Sequence, residues 1–269
     1  MHQIEGCIHF AAYKAVGESQ VKPIDYYENN LFSLINLLQE MKERNISNFI
    51  FSSSCTVYGQ ADKMPIDEET PLKLPESSYG KTKQMGEEIL KDFATAHHKR
   101  VTLLRYFNPI GAHPSAKLGE LPIGIPNNLV PYVMQTAAGV REKLSVWGND
   151  YPTEDGTAIR DYIYVVDLAK AHVKALQKLL NVSSYTLVDI YNLGTGKGSS
   201  VLEVVHAFEK ANDVAVPYQI CERRAGDITI AYANADKAEK ELGWKSESSL
   251  EEALRTVWQW QKYLKTMDN

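Results

Sequence analysis

The chain has 269 residues, of which 44% are apolar, and a formal net charge of −5 at pH 7. This length allows one large or two modest domains, and the negative charge argues against a general affinity for nucleic acid or for an anionic membrane. No apolar run approaches the ~20 residues that span a bilayer, and Cys7, Cys55 and Cys221 form no disulfide or zinc-ligand pattern, which favours a reducing, cytoplasmic compartment.

Short apolar strands and longer helices alternate in the first part of the chain. The order is a strand over 4–10, a helix over about 24–44, a strand over 48–52, a helix over about 78–98 and a strand over 101–106. The strands are apolar throughout instead of alternating, which is typical of strands covered on both faces. The sequence therefore predicts an α/β fold built on a parallel sheet.

The second part of the chain is rich in glycine and proline over 109–131 and again loop-like over 141–161, which predicts a smaller second lobe. The elements predicted there are a strand over 159–166, a helix over about 167–180, a strand over 190–193, and helices over about 199–212 and 249–265.

Three polar residues, Lys14, Ser54 and Asn108, each follow a predicted strand. In parallel α/β sheets, ligand sites lie at the carboxyl ends of the strands. We therefore expect these three side chains to lie at the same edge of the sheet.

Tyr79 and Lys83 lie four residues apart in a predicted helix, with Ser54 upstream at a strand end. Residues i and i+4 share a helix face, and a neighbouring ammonium stabilises a phenolate. This spacing predicts a proton-transfer site, in which the serine hydroxyl contacts a substrate alcohol. By spacing alone, an exposed tyrosine and a solvated lysine are the more ordinary explanation.

With these residues in hand, the chain resembles the extended short-chain dehydrogenase/reductase family, and within it the UDP-galactose 4-epimerases. The resemblance includes the Tyr79/Lys83 pair and runs over nearly the whole chain. Its segments are 9–19, 51–59, 104–109, 124–129, 148–151, 155–157, 160–163, 191–196 and 223–227. It implies a Rossmann-type sheet with a smaller α/β substrate-binding lobe, NAD as cofactor and a UDP-sugar as substrate.

The resemblance also assigns catalytic roles. Tyr79 is the base that takes the proton of the sugar 4-hydroxyl while NAD accepts hydride from C4, and the 4-keto sugar then turns over. Lys83 bonds the nicotinamide ribose and lowers the pKa of the tyrosine, Ser54 bonds the 4-oxygen, and Thr56 lies nearby. Lys14, Phe10 and Tyr106 correspond to cofactor contacts, although core packing is an equally good account of Phe10.

Further positions correspond to substrate contacts in the family. They are Asn108, Asn127, Asn128 and Leu129 for the sugar and phosphates, Val146 within the stretch Ser145-Val146-Trp147 at the uracil edge, Arg160 and Arg224 for the diphosphate, and Asp227 for the ribose. Arginine suits a diphosphate because its planar fork bonds two oxygens at once. Taken singly, each position is better explained as an ordinary surface charge or loop amide, and Arg223 is expected to be solvated.

Ala231 corresponds to a position that affects which sugars the pocket admits in the family. In the family, a small residue here resembles forms that also admit N-acetylhexosamines, while a tyrosine narrows the pocket. The resemblance therefore implies activity on UDP-GlcNAc and UDP-GalNAc as well.

The resemblance also divides the chain into a partial NAD-binding domain over 1–107 and 158–195 and a UDP-sugar-binding domain over 108–157 and 196–269. Helices 24–44 and 79–98 correspond to those that form a homodimer in the family. A solvated outer face is the alternative for these helices.

One part of the family pattern is not found in this sequence. The family opens with a G-x-x-G-x-x-G turn that holds the NAD pyrophosphate, whereas this chain corresponds to a start at the fourth strand. We expect three βα units, roughly 70–80 residues, to be missing. An inactive truncated isoform or fragment, at most a weak UDP-sugar binder, is therefore an alternative. A related dehydratase or decarboxylase is less favoured, because Cys55 and Thr56 offer no added acid or base.

Overall fold

The computed structural model describes residues 4–122, 124–224 and 227–267. Their strands are β1 Gly6–His9, β2 Asn48–Ser52, β3 Arg100–Tyr106, β4 Asn108–Ile110, β5 Leu144–Trp147, β6 Ile159–Arg160, β7 Tyr162–Tyr164, β8 Leu187–Leu193, β9 Ser199–Ser200, β10 Tyr218–Cys221 and β11 Ile230–Ala231. Their α-helices are α1 Val16–Val21, α2 Pro23–Tyr27, α3 Ser33–Glu43, α4 Ser78–His97, α5 Leu129–Ala137, α6 Val165–Asn181, α7 Val201–Asn212, α8 Asp236–Leu242 and α9 Leu250–Met267.

The chain divides into two compact units. Unit 1 comprises Met1–Tyr106, Lys170–Leu193 and Asn234–Lys245, and unit 2 comprises Phe107–Ala169, Gly194–Ala233 and Ser246–Asn269. Residues 1–3 of the predicted first domain lie outside the described residues.

The two largest differences between these boundaries and the predicted domains are at residues 158–169 and 234–245. Residues 158–169 lie in unit 2, because β6 and β7 pair with strands of that unit. Residues 234–245 lie in unit 1, where the Asn234 amide donates to the Ile66 carbonyl at 2.7 Å and Glu241 on α8 accepts from Tyr191 on β8 at 2.7 Å.

A four-stranded parallel sheet in the order β1-β2-β3-β8 forms the centre of unit 1. All five residues of β2 are buried. The α/β fold with a parallel, Rossmann-like sheet is thus confirmed. The complete burial of β2 is typical of a strand that is covered on both faces.

The predicted helix over 24–44 is divided in the structure. It consists of α2, a π-helical turn over Glu28–Phe32 and α3, and α1 precedes it. Pro23 stands at the first position of α2, where its missing N–H costs nothing but where α1 cannot continue through it. The helical spacing was predicted correctly for α3, whose Leu34, Leu38 and Met41 are buried against the sheet.

Helix α4 begins and ends close to the predicted residues. The Ser77 side chain caps it by accepting from the Gly80 amide at 3.1 Å, and His98 ends it in the left-handed conformation. Gly86 lies against the Phe51 ring, where a Cβ atom would come within 2.8 Å of the ring. This close approach brings the side chains of α4 down onto the carboxyl end of β2.

Unit 2 is built from small strand groups around its own core. β4 pairs with β7, β5 with β10, and β6 lies between β11 and β9. The core includes Val133, Val146, Phe208 and Leu254. The predicted strand over 159–166 is interrupted at Asp161, and α6 already begins at Val165. Within the described residues, no helix has the length and apolar character that a membrane span requires.

Candidate active site

The carboxyl end of β2 leads through consecutive serines into a short 3₁₀ turn. Ser54 caps this turn by accepting a hydrogen bond from the Thr56 amide at 3.2 Å, and it is itself buried. The Thr56 hydroxyl is also buried, and within the described part of the chain it has no hydrogen-bond partner. Because a buried polar group without a partner is costly, this hydroxyl fits a position that receives a polar ligand.

Tyr79 lies in the first turn of α4, beside Ser54. Burial raises the pKa of the Tyr79 phenol above its ordinary value, and a hydrogen-bonding interaction with the Ser54 side chain acts in the opposite direction. The structure thus brings together the serine and the tyrosine that the sequence predicted as a relay. With its raised pKa, Tyr79 is almost entirely protonated at neutral pH, and it can act as a base only once a positive charge or a ligand stabilises its phenolate.

Lys83 lies one turn further along α4, and its side chain is almost fully buried. Its Nζ donates to the Ser52 carbonyl at 2.7 Å and lies 5.7 Å from the centre of the Tyr79 ring. Burial lowers the pKa of Lys83 to about 8, while the charge of Glu87 acts to raise it. The ammonium therefore remains mostly protonated at neutral pH, next to the phenol that it would stabilise.

Two of the predicted cofactor contacts are aromatic. The Tyr106 hydroxyl is hydrogen-bonded to the Ser52 hydroxyl, and burial raises its pKa. Phe10 is 56% exposed and its ring lies 4.6 Å from that of His172. Core packing therefore does not explain Phe10, which presents an exposed aromatic face just beyond the end of β1.

Lys14 is exposed, and the buried side chain of Asn30 holds the loop that contains it. The Asn30 amide group accepts from the Tyr13 amide at 2.7 Å and donates to the Tyr13 carbonyl at 3.0 Å. It also donates to the Thr82 hydroxyl on α4 at 3.0 Å. Asn30 therefore fixes the backbone next to Lys14 relative to the helix that carries Tyr79 and Lys83.

In unit 2, several of the predicted nucleotide contacts surround Tyr151. Its phenol is influenced by the charges of Asp227, Arg160 and Arg224, and burial raises its pKa. Arg224 donates to Asp227 at 3.0 Å, whereas Arg160 donates to the Ile159 carbonyl at 2.8 Å. The Tyr151 hydroxyl is buried, and the described residues offer it no hydrogen-bond partner.

Arg223 is not simply solvated, as the sequence suggested. Its guanidinium lies 3.9 Å from the centre of the Tyr151 ring and donates to Asp150 at 2.6 Å, with 40% of its side chain exposed. Ala225 and Gly226, which belong to the same predicted motif, lie outside the described residues.

Val146, predicted at the uracil edge, is fully buried in the core of unit 2, so its side chain is not available to a ligand. Because side chains alternate along a strand, the exposed neighbour is Trp147, whose ring lies 5.8 Å from the Arg224 guanidinium.

The remaining predicted contacts have different environments. Asn127 and Asn128 are exposed just before α5, which begins at Leu129, and Asn128 donates to Glu120 at 3.3 Å. Asn108 is the first residue of β4, and its backbone N–H donates to the Asp161 carbonyl at 3.0 Å. Ala231 is buried on β11, directly paired with Arg160.

Comparison with known proteins gives a consistent result. Residues 1–257 match the family described as GDP-mannose 4,6 dehydratase. The UDP-glucose 4-epimerase of Bacillus subtilis is 54% identical over 261 residues, which are 97% of this chain and 76% of that protein. The corresponding enzyme of Haemophilus influenzae is 52% identical over 262 residues, 97% of this chain and 77% of that protein. This chain belongs to the UDP-glucose 4-epimerase family.

Solved structures agree with this assignment. The UDP-glucose 4-epimerase of Stenotrophomonas maltophila, with bound NAD and formylated UDP-arabinopyranose, superposes with a TM-score of 0.94 at 46% identity, covering 99% of this chain and 78% of that one. The enzyme of Bifidobacterium longum, in complex with NAD+ and UDP, gives a TM-score of 0.93 at 50% identity, covering 97% and 77%.

Some residues of this UDP-glucose 4-epimerase family member were missed by the sequence reasoning. Asn30, Glu87 and Arg105 are buried polar residues that contact the site or its supports. A polar residue on the buried face of a helix was the signal available for Asn30 and Glu87. For Arg105, a charge inside an otherwise apolar strand was the corresponding signal.

Proposed function

We propose that this chain catalyses NAD-dependent epimerisation at C4 of UDP-galactose and UDP-glucose, through a 4-keto intermediate, as a step of galactose metabolism. The observation that carries the proposal is the contact of Tyr79 with Ser54 beside the buried ammonium of Lys83. Membership of the UDP-glucose 4-epimerase family supports the same reaction.

The proton steps follow from the chain's own residues. Tyr79, as phenolate, accepts the proton of the sugar 4-hydroxyl, and the Ser54 and Thr56 hydroxyls supply hydrogen bonds to the sugar oxygens. Lys83 keeps its proton and stabilises the phenolate by its charge. NAD, when bound, accepts hydride from C4 and returns it to the opposite face. Tyr79 then returns the proton to the 4-oxygen.

The residues of unit 1 fit the nicotinamide and its ribose. Phe10 offers an exposed aromatic face, and Lys14 is exposed in the loop that Asn30 fixes. Lys83 would bond the ribose, and Tyr106 would line the pocket. The NAD bound in the S. maltophila and B. longum epimerases supports this cofactor. We accordingly propose unit 1 as the NAD-binding part of the chain.

We propose unit 2 as the UDP-sugar-binding part. Arg160 and Arg224 are suited to the diphosphate because each presents a planar fork of N–H donors, and Asp227 would accept from a ribose hydroxyl. The Asn108, Asn127 and Asn128 amides and the Leu129 backbone would complete the sugar and phosphate contacts. The UDP bound to the B. longum enzyme supports a uridine nucleotide.

The test of the base is Tyr79→Phe. We expect conversion of UDP-galactose to UDP-glucose to fall at least 100-fold, while UDP binding by calorimetry is unchanged. Tyr185→Phe is the matched control, because Tyr185 is 86% exposed. Turnover retained in Tyr79→Phe would refute the assignment of the base.

The alternative remains that this polypeptide alone is inactive and binds UDP-sugars weakly. Absorbance of the purified chain for bound NAD, measured beside the epimerase assay, separates the two functions. NAD retention with conversion supports the epimerase. Neither signal, with the B. subtilis enzyme active in parallel, would favour the inactive form.

We further propose that UDP-GlcNAc and UDP-GalNAc are substrates. The small side chain of Ala231, beside Arg160, supports this because a larger residue there would take up space. Ala231→Tyr should reduce the rate on UDP-GlcNAc far more than the rate on UDP-glucose. An unmodified chain that converts UDP-glucose but not UDP-GlcNAc would overturn the proposal.

We also propose a homodimer in a reducing cytoplasm. Exposed apolar side chains on α2, the π-helical turn, α3 and α4 support the dimer, namely Ile24, Phe32, Ile35 and Met85. Free thiols at all three cysteines suit the compartment. Light scattering of the purified chain tests the dimer, and Phe32→Asp should shift it towards the monomer mass.

A further inference from the structure

Helix α4 contacts the end of β2 through three residues spaced four apart. Tyr79 interacts with Ser54, Lys83 Nζ donates to the Ser52 carbonyl at 2.7 Å, and Glu87 accepts from the Ser53 hydroxyl at 2.5 Å. Residues at this spacing lie on one helix face. Three successive turns of α4 thus each contact one of the three consecutive serines.

Glu87 is the innermost member of this row, and its side chain is fully buried. Besides Ser53, its carboxylate accepts two hydrogen bonds from Arg105 on β3, at 2.9 Å from Nε and 2.5 Å from Nη2. Four residues separate it from Lys83, so both charges lie on the same buried face. A charge that is buried and satisfied in this way acts strongly on its neighbours, because little water screens it.

We propose that Glu87 is a positioning residue for the proton-transfer site: its carboxylate holds Ser53, and hence Ser54, against α4 and supplies the negative charge that keeps the buried Lys83 ammonium protonated. The catalytic part of this inference rests on the proposed epimerase function, while the electrostatic part does not.

The charged and titratable groups around Lys83 determine what Glu87 can do. From β1, His9 faces the ammonium, and burial together with the charge of Lys83 lowers the pKa of His9 to about 4, so this imidazole is neutral at pH 7. From α4 itself, Tyr79 and Glu87 face it. From β3, the charge of Arg105 reaches the site through its ion pair with Glu87. Glu87 is therefore the anion that offsets the cost of burying Lys83.

A purely structural ion pair would not require the contact with Ser53. Arg105 also takes part in a second branch of hydrogen bonds, which does not include Glu87 and serves as the comparison for the effect of Glu87 on Lys83. Arg105 also donates to the Tyr58 hydroxyl at 3.0 Å, which donates to Asn192 at 2.7 Å. Tyr58→Phe disturbs this branch but leaves the charge of Glu87 and its bond to Ser53 in place.

The experiment is a titration of Lys83 by NMR in full-length protein labelled with ¹⁵N at lysine side chains, with the resonance assigned through Lys83→Met. In Glu87→Gln, we expect the pKa of Lys83 to fall by about one unit. In Tyr58→Phe, we expect it to be unchanged. If Glu87→Gln does not fold, Glu87→Gln with Arg105→Met removes both charges together, and a smaller fall is expected because the repulsion by Arg105 is lost as well.

A folded Glu87→Gln protein with an unchanged Lys83 pKa would overturn the proposal. Failure of both Glu87 variants to fold would assign Glu87 to the core alone and overturn it equally.

The epimerase assay separates this inference from the proposed function. In active protein, kcat of Glu87→Gln should fall about tenfold with its alkaline limb moved to lower pH, while KM changes little. A fall in the Lys83 pKa without turnover in any variant would sustain the inference and reject the function.

Discussion

Arg105 and Glu87 form an ion pair of two parallel hydrogen bonds between β3 and α4, with only 2% and 0% of their side chains exposed. The carboxylate and the guanidinium each satisfy the other's charge in surroundings that water does not reach. Breaking such a pair is far more costly than removing it, because one charge then remains buried and unpaired.

Arg105→Met should therefore lower the free energy of unfolding by about 3–5 kcal/mol, and adding Glu87→Gln should recover much of the loss. Urea unfolding of the single and double variants measures both. Arg44→Met is the control, because Arg44 and Glu40 form an exposed pair whose loss should cost about 0.3–0.5 kcal/mol. A double variant less stable than Arg105→Met would contradict the argument.

Lys83→Met should be inactive yet at least as stable as the unaltered chain at pH 7. Burial lowers the folded pKa of Lys83 from 10.5 to about 8. Below pH 8 both states are protonated and the burial cost is fully present, and it is relieved as pH rises from about 8 to 10.5. At ~1.36 kcal/mol per unit, the gain at pH 7 is at most roughly 3 kcal/mol. Denaturant unfolding should show that this gain in stability becomes smaller as the pH rises towards 10.5. Lys91→Met, at an exposed ion pair, should show no such gain.

His9 should make the fold sensitive to acid. Burial and the charge of Lys83 lower its folded pKa from 6.5 to about 4. Its contribution to stability is present above pH 6.5 and is lost as pH falls towards 4, because only the unfolded state takes up the proton in that window. His9→Gln should flatten the fall in unfolding free energy between pH 6.5 and 4, whereas the exposed His206→Gln should retain it. Equal slopes in the two variants would exclude His9 as the cause.

Asp161→Asn should loosen two backbone segments of unit 2 at once. The buried Asp161 carboxylate accepts from the amides of Thr195, Gly196 and Ala233, at 2.9, 3.3 and 3.1 Å. Losing the charge should cost about 1.5–3 kcal/mol. Hydrogen exchange of these three amides should accelerate together, while Asp150→Asn, at an exposed pair, should leave them protected. Acceleration at one amide alone would argue against a shared anchor.

Local sequence patterns located most of the elements correctly. Strand β2 and helix α4 lie within a residue of their predicted bounds, because apolar runs and helical spacing are properties of neighbouring residues. The pattern was less informative where one residue redirects the chain. Pro23 separates α1 from α2, and Asp161 divides the strand predicted over 159–166.

For the candidate site, the sequence by itself determined the helical spacing of Tyr79 and Lys83 and the position of Ser54 at a strand end, since both depend on local periodicity. Only the tertiary structure decided which distant groups meet. It buried Val146, exposed Phe10, and paired Glu87 with Arg105 and Asn30 with Tyr13. The physical reason is that partner choice between distant residues depends on how helices and strands pack, and a buried charge or amide acquires its meaning only from the partner that packing supplies.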